Sequence, residues 1–368
     1  MLQCRPHYGT VMSGKSFTSI KRTMNASPVR RNSALLPSIL TFVVIVASGG
    51  LLLLIEKGML STVENPVPRG GGRRGERSHQ DERLNSPARD LDSQLLQDIR
   101  NRTIRTMCSQ KNMPHNINSL SPQQRRILLQ HILVDDQYHF LYCYVPKVAC
   151  SNWKKVLKVL NGALENVNVN VKMNHVADLK FLSSLKPEEI NFRLKHYFKF
   201  MFVRDPMERL LSAYKNKFGE IASYQHKYGV EIVKRYRDVA KDAHIKGDDV
   251  TFAEFIQYLV DEDVDHMNEH WMPMYNLCQP CVVNYDFIGS HDRIEEDSEF
   301  VLQHVGAPSY VHFPVRQTWY KPVTTETLYY YVCSLPQTLL TELLPKYILD
   351  FSFFAYPLPN TTSEFCRH

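Results

Sequence analysis

The sequence predicts an α/β domain with a central parallel sheet flanked by helices, and three observations carry that expectation. Residues 140–145 (Phe-Leu-Tyr-Cys-Tyr-Val) and 197–203 (Tyr-Phe-Lys-Phe-Met-Phe-Val) are aromatic and β-branched enough for buried strands. Each runs into a short loop, Pro146 to Asn152 in the first case and Arg204-Asp205 in the second. Behind each loop apolar residues recur at helical spacing: Trp153, Val156, Leu157 and Leu160, then Leu210, Leu211, Tyr214 and Phe218. Alternation of strand and helix implies parallel pairing, with ligands bound outside the strands' carboxyl ends.

Both loops have the chemistry of anion sites. In Pro146-Lys147-Val148-Ala149-Cys150-Ser151-Asn152, a helix N-terminus offers unpartnered N–H groups, Ser151 can cap or donate, and Lys147 supplies a point charge. In Arg204-Asp205-Pro206-Met207-Glu208-Arg209-Leu210-Leu211-Ser212, Asp205 fits an N-cap and Pro206 the first helical position. Arg204 presents a planar fork suited to a phosphate, and Ser212 lies two turns into the helix. Two anion sites on neighbouring strand ends suit a ligand phosphorylated at both ends. A Walker-type loop is disfavoured, because the chain has no Gly-x-x-x-x-Gly-Lys-[Ser/Thr] run and the first loop has no glycine.

The front quarter of the chain reads differently. Residues 1–33 form a basic tail, and 34–56 are long and apolar enough to span a bilayer. Residues 57–97 are a flexible stem rich in Pro, Gly, Ser, Arg and Glu, and 98–368 form the folded domain. Lys21, Arg22, Arg30 and Arg31 precede the apolar stretch, whereas only Lys57 and Arg69 follow closely, which leaves the N-terminus in the cytosol. A cleaved signal peptide ending near Val46-Ala47-Ser48 is the alternative. Asn101 and Asn360 head glycosylation sequons on the luminal side, while Asn25 would escape modification.

The net charge of +6 does not make the folded part basic. Of the 44 Lys+Arg and 38 Asp+Glu, 13 and 7 fall before residue 96, leaving 31 of each. No nucleic-acid partner is expected, and an acidic ligand must be held by a local cluster such as Lys154, Lys155, Lys158, Arg209, Lys215 and Lys217. The bland reading makes most of these a solvated helix face.

Seven cysteines, Cys108, Cys143, Cys150, Cys278, Cys281, Cys333 and Cys366, would lie in an oxidising lumen, so at least one has no partner within the chain. The lone Cys278-x-x-Cys281 argues against structural zinc and for disulfides, within the pair or to others. Cys150 reads as packing. Further on, a helix is expected over 230–243, a capping box Thr251-x-x-Glu254 opens another, 285–288 is a short strand and 294–305 a helix.

The motifs Pro146-Lys147-Val148-Ala149-Cys150-Ser151-Asn152-Trp153-Lys154 and Val203-Arg204-Asp205-Pro206-Met207-Glu208-Arg209-Leu210-Leu211-Ser212 resemble the nucleotide-binding motifs of Golgi carbohydrate sulfotransferases. Within that family the wording, with Asn268-Glu269-His270-Trp271, Cys278-Gln279-Pro280-Cys281 and Tyr285-Asp286-Phe287, is similar to the HNK-1, chondroitin and dermatan branch, and most to its dermatan 4-O-sulfotransferases. The resemblance implies a P-loop-like sulfotransferase fold behind a single transmembrane anchor in the Golgi membrane, with the catalytic domain in the lumen. It implies 3′-phosphoadenosine 5′-phosphosulfate as co-substrate, no metal, and transfer to the 4-hydroxyl of N-acetylgalactosamine in dermatan, with chondroitin as runner-up. Glycosaminoglycan chains, and other enzymes that modify them, are the partners implied. Pro146 to Asn152 would cradle the 5′-phosphosulfate, with Lys147 on the leaving oxygen, and Arg204 to Ser212 would hold the 3′-phosphate.

The acceptor hydroxyl needs a base, and histidine suits that role near neutrality. His175, in a polar segment after the first helix where related sulfotransferases place their base, is the first candidate; His270 is the rival. Two other classes compete. Asp261-Glu262-Asp263 would suit a metal-dependent glycosyltransferase, which leaves Lys147 and Arg204 unexplained, and a non-enzymatic glycan-binding membrane protein is the third option.

Overall fold

The computed structural model describes residues 87–110, 112–169, 174–238, 240, 244–314, 322–359 and 366. The apolar stretch 34–56, the stem up to residue 86 and the Asn360 sequon lie outside these residues. Among the described residues no helix is long and apolar enough to cross a membrane.

The chain opens with helix α1 (Pro87–Cys108), which crosses the boundary at 97/98 where the stem was expected to end. Gln97 Nε2 and Arg100 Nη1 both donate to the Ile288 carbonyl, at 2.6 and 3.2 Å. Helix α2 (Pro122–His131) starts at a Ser121–Gln124 capping box and passes without a turn into strand β1 (Ile132–Asp135). Strand β2 (Phe140–Cys143) then leads to helix α3 (Cys150–Leu160), and the two-residue strand β3 (Lys180–Phe181) precedes helix α4 (Pro187–His196). Strand β4 (Phe198–Val203) runs into helix α5 (Pro206–Glu220). After it come helices α6 (Val230–Tyr236), α7 (Phe252–Asp261) and α8 (Met274–Cys278), strand β5 (Phe287–Ser290), and helices α9 (Ile294–His304), α10 (Thr325–Cys333) and α11 (Gln337–Phe353).

The sheet order is β3-β1-β2-β4-β5. β2, β4 and β5 are parallel, with Tyr142 opposite Phe200 and Met201 opposite Ile288. β1 pairs antiparallel with both β2 and β3, so the sheet is mixed and the expectation of an all-parallel sheet is corrected. The parallel half is the part that holds the two loops. β1 folds back on β2 because only Asp136 to His139 separate them, too short for a crossover.

Trp153 is the anchor of α3. Its indole is fully buried, 4.8 Å from the Phe200 ring and 5.5 Å from that of Phe202, so the helix start is fixed over β4. Phe202 in turn requires Gly289 on β5, where a Cβ would lie 2.3 Å from its Cε1.

Disulfides tie the periphery to this centre. Cys143 on β2 is bonded to Cys278, and Cys108 at the end of α1 to Cys281, so the Cys-x-x-Cys pair reaches outward rather than closing on itself. Cys333 pairs with Cys366, and Cys150 is buried and takes part in none of these three disulfides. A fragment beginning at Asp98 loses the first half of α1 and the Gln97 hydrogen bond. It is expected to fold but to be about 0.5–1.5 kcal/mol less stable than one beginning at Pro87. Urea unfolding of the two fragments measures the difference, and equal midpoints would show that the first half of α1 adds nothing.

Candidate active site

The first loop holds two non-glycine residues in the left-handed region, Lys147 at φ 72° and Ala149 at φ 53°. Such conformations cost about 1–3 kcal/mol each and persist where the surroundings over-determine them. Ala149, rather than Ser151, is the N-cap of α3, and it makes no side-chain cap. The N–H groups of Asn152 and Trp153 turn back to its carbonyl at 3.0 and 3.2 Å. Asn152 is therefore committed within the helix, and the anion-facing N–H groups expected from 149 to 152 reduce to those before it. The loop thus turns an N-terminal concavity outward from the end of β2.

At the second loop the Asp205 carboxylate accepts from the Glu208 N–H at 2.9 Å and Pro206 occupies the first turn, as expected. Burial pushes the Asp205 carboxyl up to about 6. Pro206, Met207, Leu210 and Leu211 are buried core contacts of α5. Ser212 is 8% exposed, in the second turn of α5.

Arg204 joins the two loops. Its guanidinium is 1% exposed; Nη1 donates to the Lys147 carbonyl at 3.2 Å and Nε faces Glu208 Oε2 at the same distance. Arg209 makes a second brace, spending Nε on the Pro146 carbonyl (3.0 Å), Nη1 on that of Met272 (2.7 Å) and Nη2 on that of Glu269 (2.9 Å). The residue expected at the nucleotide therefore ties the first loop to the Asn268–Met272 segment.

That segment carries His270. Asn268 Nδ2 donates to Tyr228 OH at 3.1 Å, so its Oδ1 is the atom that faces His270 Nδ1 at 2.7 Å and accepts the ring proton. Tyr224 OH lies 3.2 Å from the same nitrogen. Tyr224 and Tyr228 are aimed by the π-helical turn Gln225–Gly229, a backbone form often found at functional sites. Burial, then the charges of Lys217 and Lys147, hold His270 well below the usual imidazole range, so it is neutral with its lone pair on Nε2. Lys147 sits in the same field: burial, Lys217 and Arg204 push its ammonium down to about 8, and its Nζ donates to Asn216 Oδ1 at 3.2 Å.

His175 proves to be buried rather than a surface-loop residue. It is 5% exposed, and neither ring nitrogen has a hydrogen-bond partner among the described residues. Its carbonyl accepts from Lys154 Nζ at 3.4 Å, which places it one turn into the helix that starts at the first loop. Of the six basic residues expected either as a local cluster or as a solvated helix face, Lys154, Lys158, Arg209 and Lys217 are buried, Lys155 is half-buried and Lys215 is exposed. Lys217 and Arg204 act on Lys147, and Lys217, Lys147 and Arg209 on His270, so the loops lie in a positive field that stabilises an anion. Nothing in the sequence pointed to the Tyr224–His270 and Tyr228–Asn268 contacts, whereas Lys217 was legible as part of a basic cluster.

A sulfotransferase family model matches residues 130–357, which contain both loops, His175 and His270. The chain belongs to the sulfotransferase family. It is 64% identical over 368 residues to carbohydrate sulfotransferase 14 of Danio rerio, covering 99% of each chain. It is 56% identical to the Homo sapiens protein of that name, covering 94% of this chain and 95% of that one. Against carbohydrate sulfotransferase 11 of Mus musculus the identity is 41% over 66% of this chain and 73% of the relative. No solved structure matches. The protein is accordingly an enzyme acting on glycans, and family membership implies 3′-phosphoadenosine 5′-phosphosulfate as the sulfonyl donor. Asp261, read as part of a metal triplet, instead accepts from Tyr236 OH at 2.7 Å.

For Lys147 the sign of the pH effect follows from the role expected of it. An ammonium that neutralises charge on the leaving oxygen loses that charge above about pH 8, so kcat/KM for the donor should fall with a midpoint near there. Lys147→Ala should remove that limb along with most turnover; a limb that survives the substitution belongs to another group.

Proposed function

We propose that this sulfotransferase transfers the sulfonyl group of 3′-phosphoadenosine 5′-phosphosulfate to the 4-hydroxyl of N-acetylgalactosamine in dermatan, beside iduronate. Chondroitin is the alternative acceptor. The observation that carries the donor assignment is the Arg204 contact with the Lys147 carbonyl, which puts the two anion-binding strand ends side by side. The acceptor assignment rests on the wording of the motifs and on Asn268-Glu269-His270-Trp271.

In this reading the first-turn N–H groups of α3 and Lys147 hold the 5′-phosphosulfate, and Arg204 with Ser212 holds the 3′-phosphate. His175 takes the proton of the acceptor hydroxyl as its oxygen bonds to sulfur. The bond from sulfur to the bridging phosphate oxygen breaks in line, and 3′-phosphoadenosine 5′-phosphate leaves with the charge that Lys147 neutralises. His175 suits the role because a buried imidazole whose two nitrogens have no partner among the described residues calls for one, and a substrate hydroxyl supplies it. A luminal domain on a Golgi membrane anchor is supported by the apolar stretch at 34–56 with its basic flank and by the three disulfides. Asn101, on α1 and partly exposed, and Asn360, outside the described residues, are the glycosylation candidates.

The test supplies labelled donor to the purified protein with desulfated dermatan, chondroitin and a glucuronylated lactosamine, then maps the product disaccharides. Label on the 4-hydroxyl of N-acetylgalactosamine beside iduronate supports the reading. Label confined to chondroitin or the lactosamine replaces the acceptor while leaving the donor chemistry in place.

A further inference from the structure

Lys154 and Lys158 are too deeply buried, at 1% and 5% exposure, to present charge to a glycan, and neither lies in the first loop. A buried ammonium is costly, so each calls for an account in terms of what it touches. Lys154, Lys158 and Asn161 stand at i, i+4 and i+7 on α3, on one face of the helix. All three reach the same short segment. Lys154 Nζ donates to the His175 carbonyl at 3.4 Å while lying 3.8 Å from the Tyr144 ring centroid, just after β2. Lys158 Nζ meets Asp178 Oδ2 at 3.2 Å, and Asn161 Nδ2 donates to the Asp178 carbonyl at 2.6 Å. On the near side, Asn174 Oδ1 accepts from the Val176 and Ala177 N–H groups, both at 3.1 Å, folding a turn around His175. Asp178 itself lies at φ 61°, in the left-handed region that Asp enters more readily than most residues.

The geometry points to Lys158 and Asp178, together with Lys154, as positioning residues that hold His175 in register with the phosphosulfate loop. This rests on the reading of His175 as the base. The helix that begins at the donor's 5′ side is the same one that carries the ladder, so donor and base are referenced to one rigid element. None of the three touches the reacting atoms; they act through the backbone that carries the imidazole. Loss of the ladder lets the segment drift, and a displacement of about 1 Å at a reacting group can cost about a hundredfold in rate.

The experiment compares Lys158→Met, Lys158→Arg, Asp178→Asn, His175→Ala and the Lys158→Met/His175→Ala double variant of the full chain. It measures kcat and donor KM, with titration of 3′-phosphoadenosine 5′-phosphate as the check on folding. Lys158→Met should lower kcat about 10- to 100-fold with donor affinity within about twofold of the parent, and Lys158→Arg should recover most of the loss. The double variant should be no slower than His175→Ala alone, because a positioning residue has nothing left to position. Normal kcat in Lys158→Met, or losses that multiply in the double variant, would overturn the inference with the base assignment intact. Normal kcat in His175→Ala would remove the base assignment and the inference with it. Should Lys158→Met fail to fold, Asp178→Asn carries the same test from the exposed side of the pair, with an expected loss of about 3- to 10-fold in kcat that is likewise absent when His175 is already Ala.

Discussion

Replacing His175 with Ala should cut turnover by about a hundredfold or more while leaving donor affinity and folding near those of the parent, the pattern of a lost general base. The imidazole has no partner to lose within the described residues, so truncation breaks no hydrogen bond there. The decisive comparison is with His270→Ala. His270 is a neutral imidazole whose Nδ1 is already engaged by Asn268 and Tyr224, which fits a group that orders its segment. If His175→Ala keeps near-normal turnover and His270→Ala does not, the base is His270 and the sulfonyl-transfer chemistry stands.

Arg204→Ala is expected to weaken donor binding by about 2 to 4 kcal/mol and acceptor binding hardly at all. Two losses contribute: the charge-assisted contact to the 3′-phosphate, and the brace to the Lys147 carbonyl that holds the first loop in its left-handed conformation. Arg204→Lys should recover little, since a single ammonium cannot span Glu208, the carbonyl and a phosphate together. Unchanged donor affinity in folded Arg204→Ala protein would take the residue out of the site.

The parts of this architecture that announce themselves in sequence are those with a local signal. Asp205-Pro206 and the Thr251–Glu254 capping box start helices where expected, because the side chain that caps is three residues from the N–H it caps. β1 escaped notice for an equally local reason: Ile132 to Asp135 follow helix α2 with no turn residue between, and all four are buried, so no alternation marks a strand. The missing strand is what makes the sheet mixed. Arg209 was legible as a basic residue beside a nucleotide motif, but its three acceptors come from Pro146, Glu269 and Met272, about sixty residues away on either side. Lys154 and Lys158 likewise read as a solvated helix face until the 174–178 segment is laid over them. Chain-distant carbonyls leave no pattern in a sequence.

The central claim, that two adjacent strand ends grip a donor by both of its phosphate ends, is tested most directly by a binding cycle. Wild-type and Arg204→Ala protein are each titrated with 3′-phosphoadenosine 5′-phosphate and with adenosine 5′-phosphate, which lacks the 3′ group. The account predicts that wild type binds the bisphosphate at least about 30-fold more tightly, and that most of this preference vanishes in Arg204→Ala. Equal affinity of wild type for the two nucleotides, or a preference that Arg204→Ala leaves untouched, would contradict it.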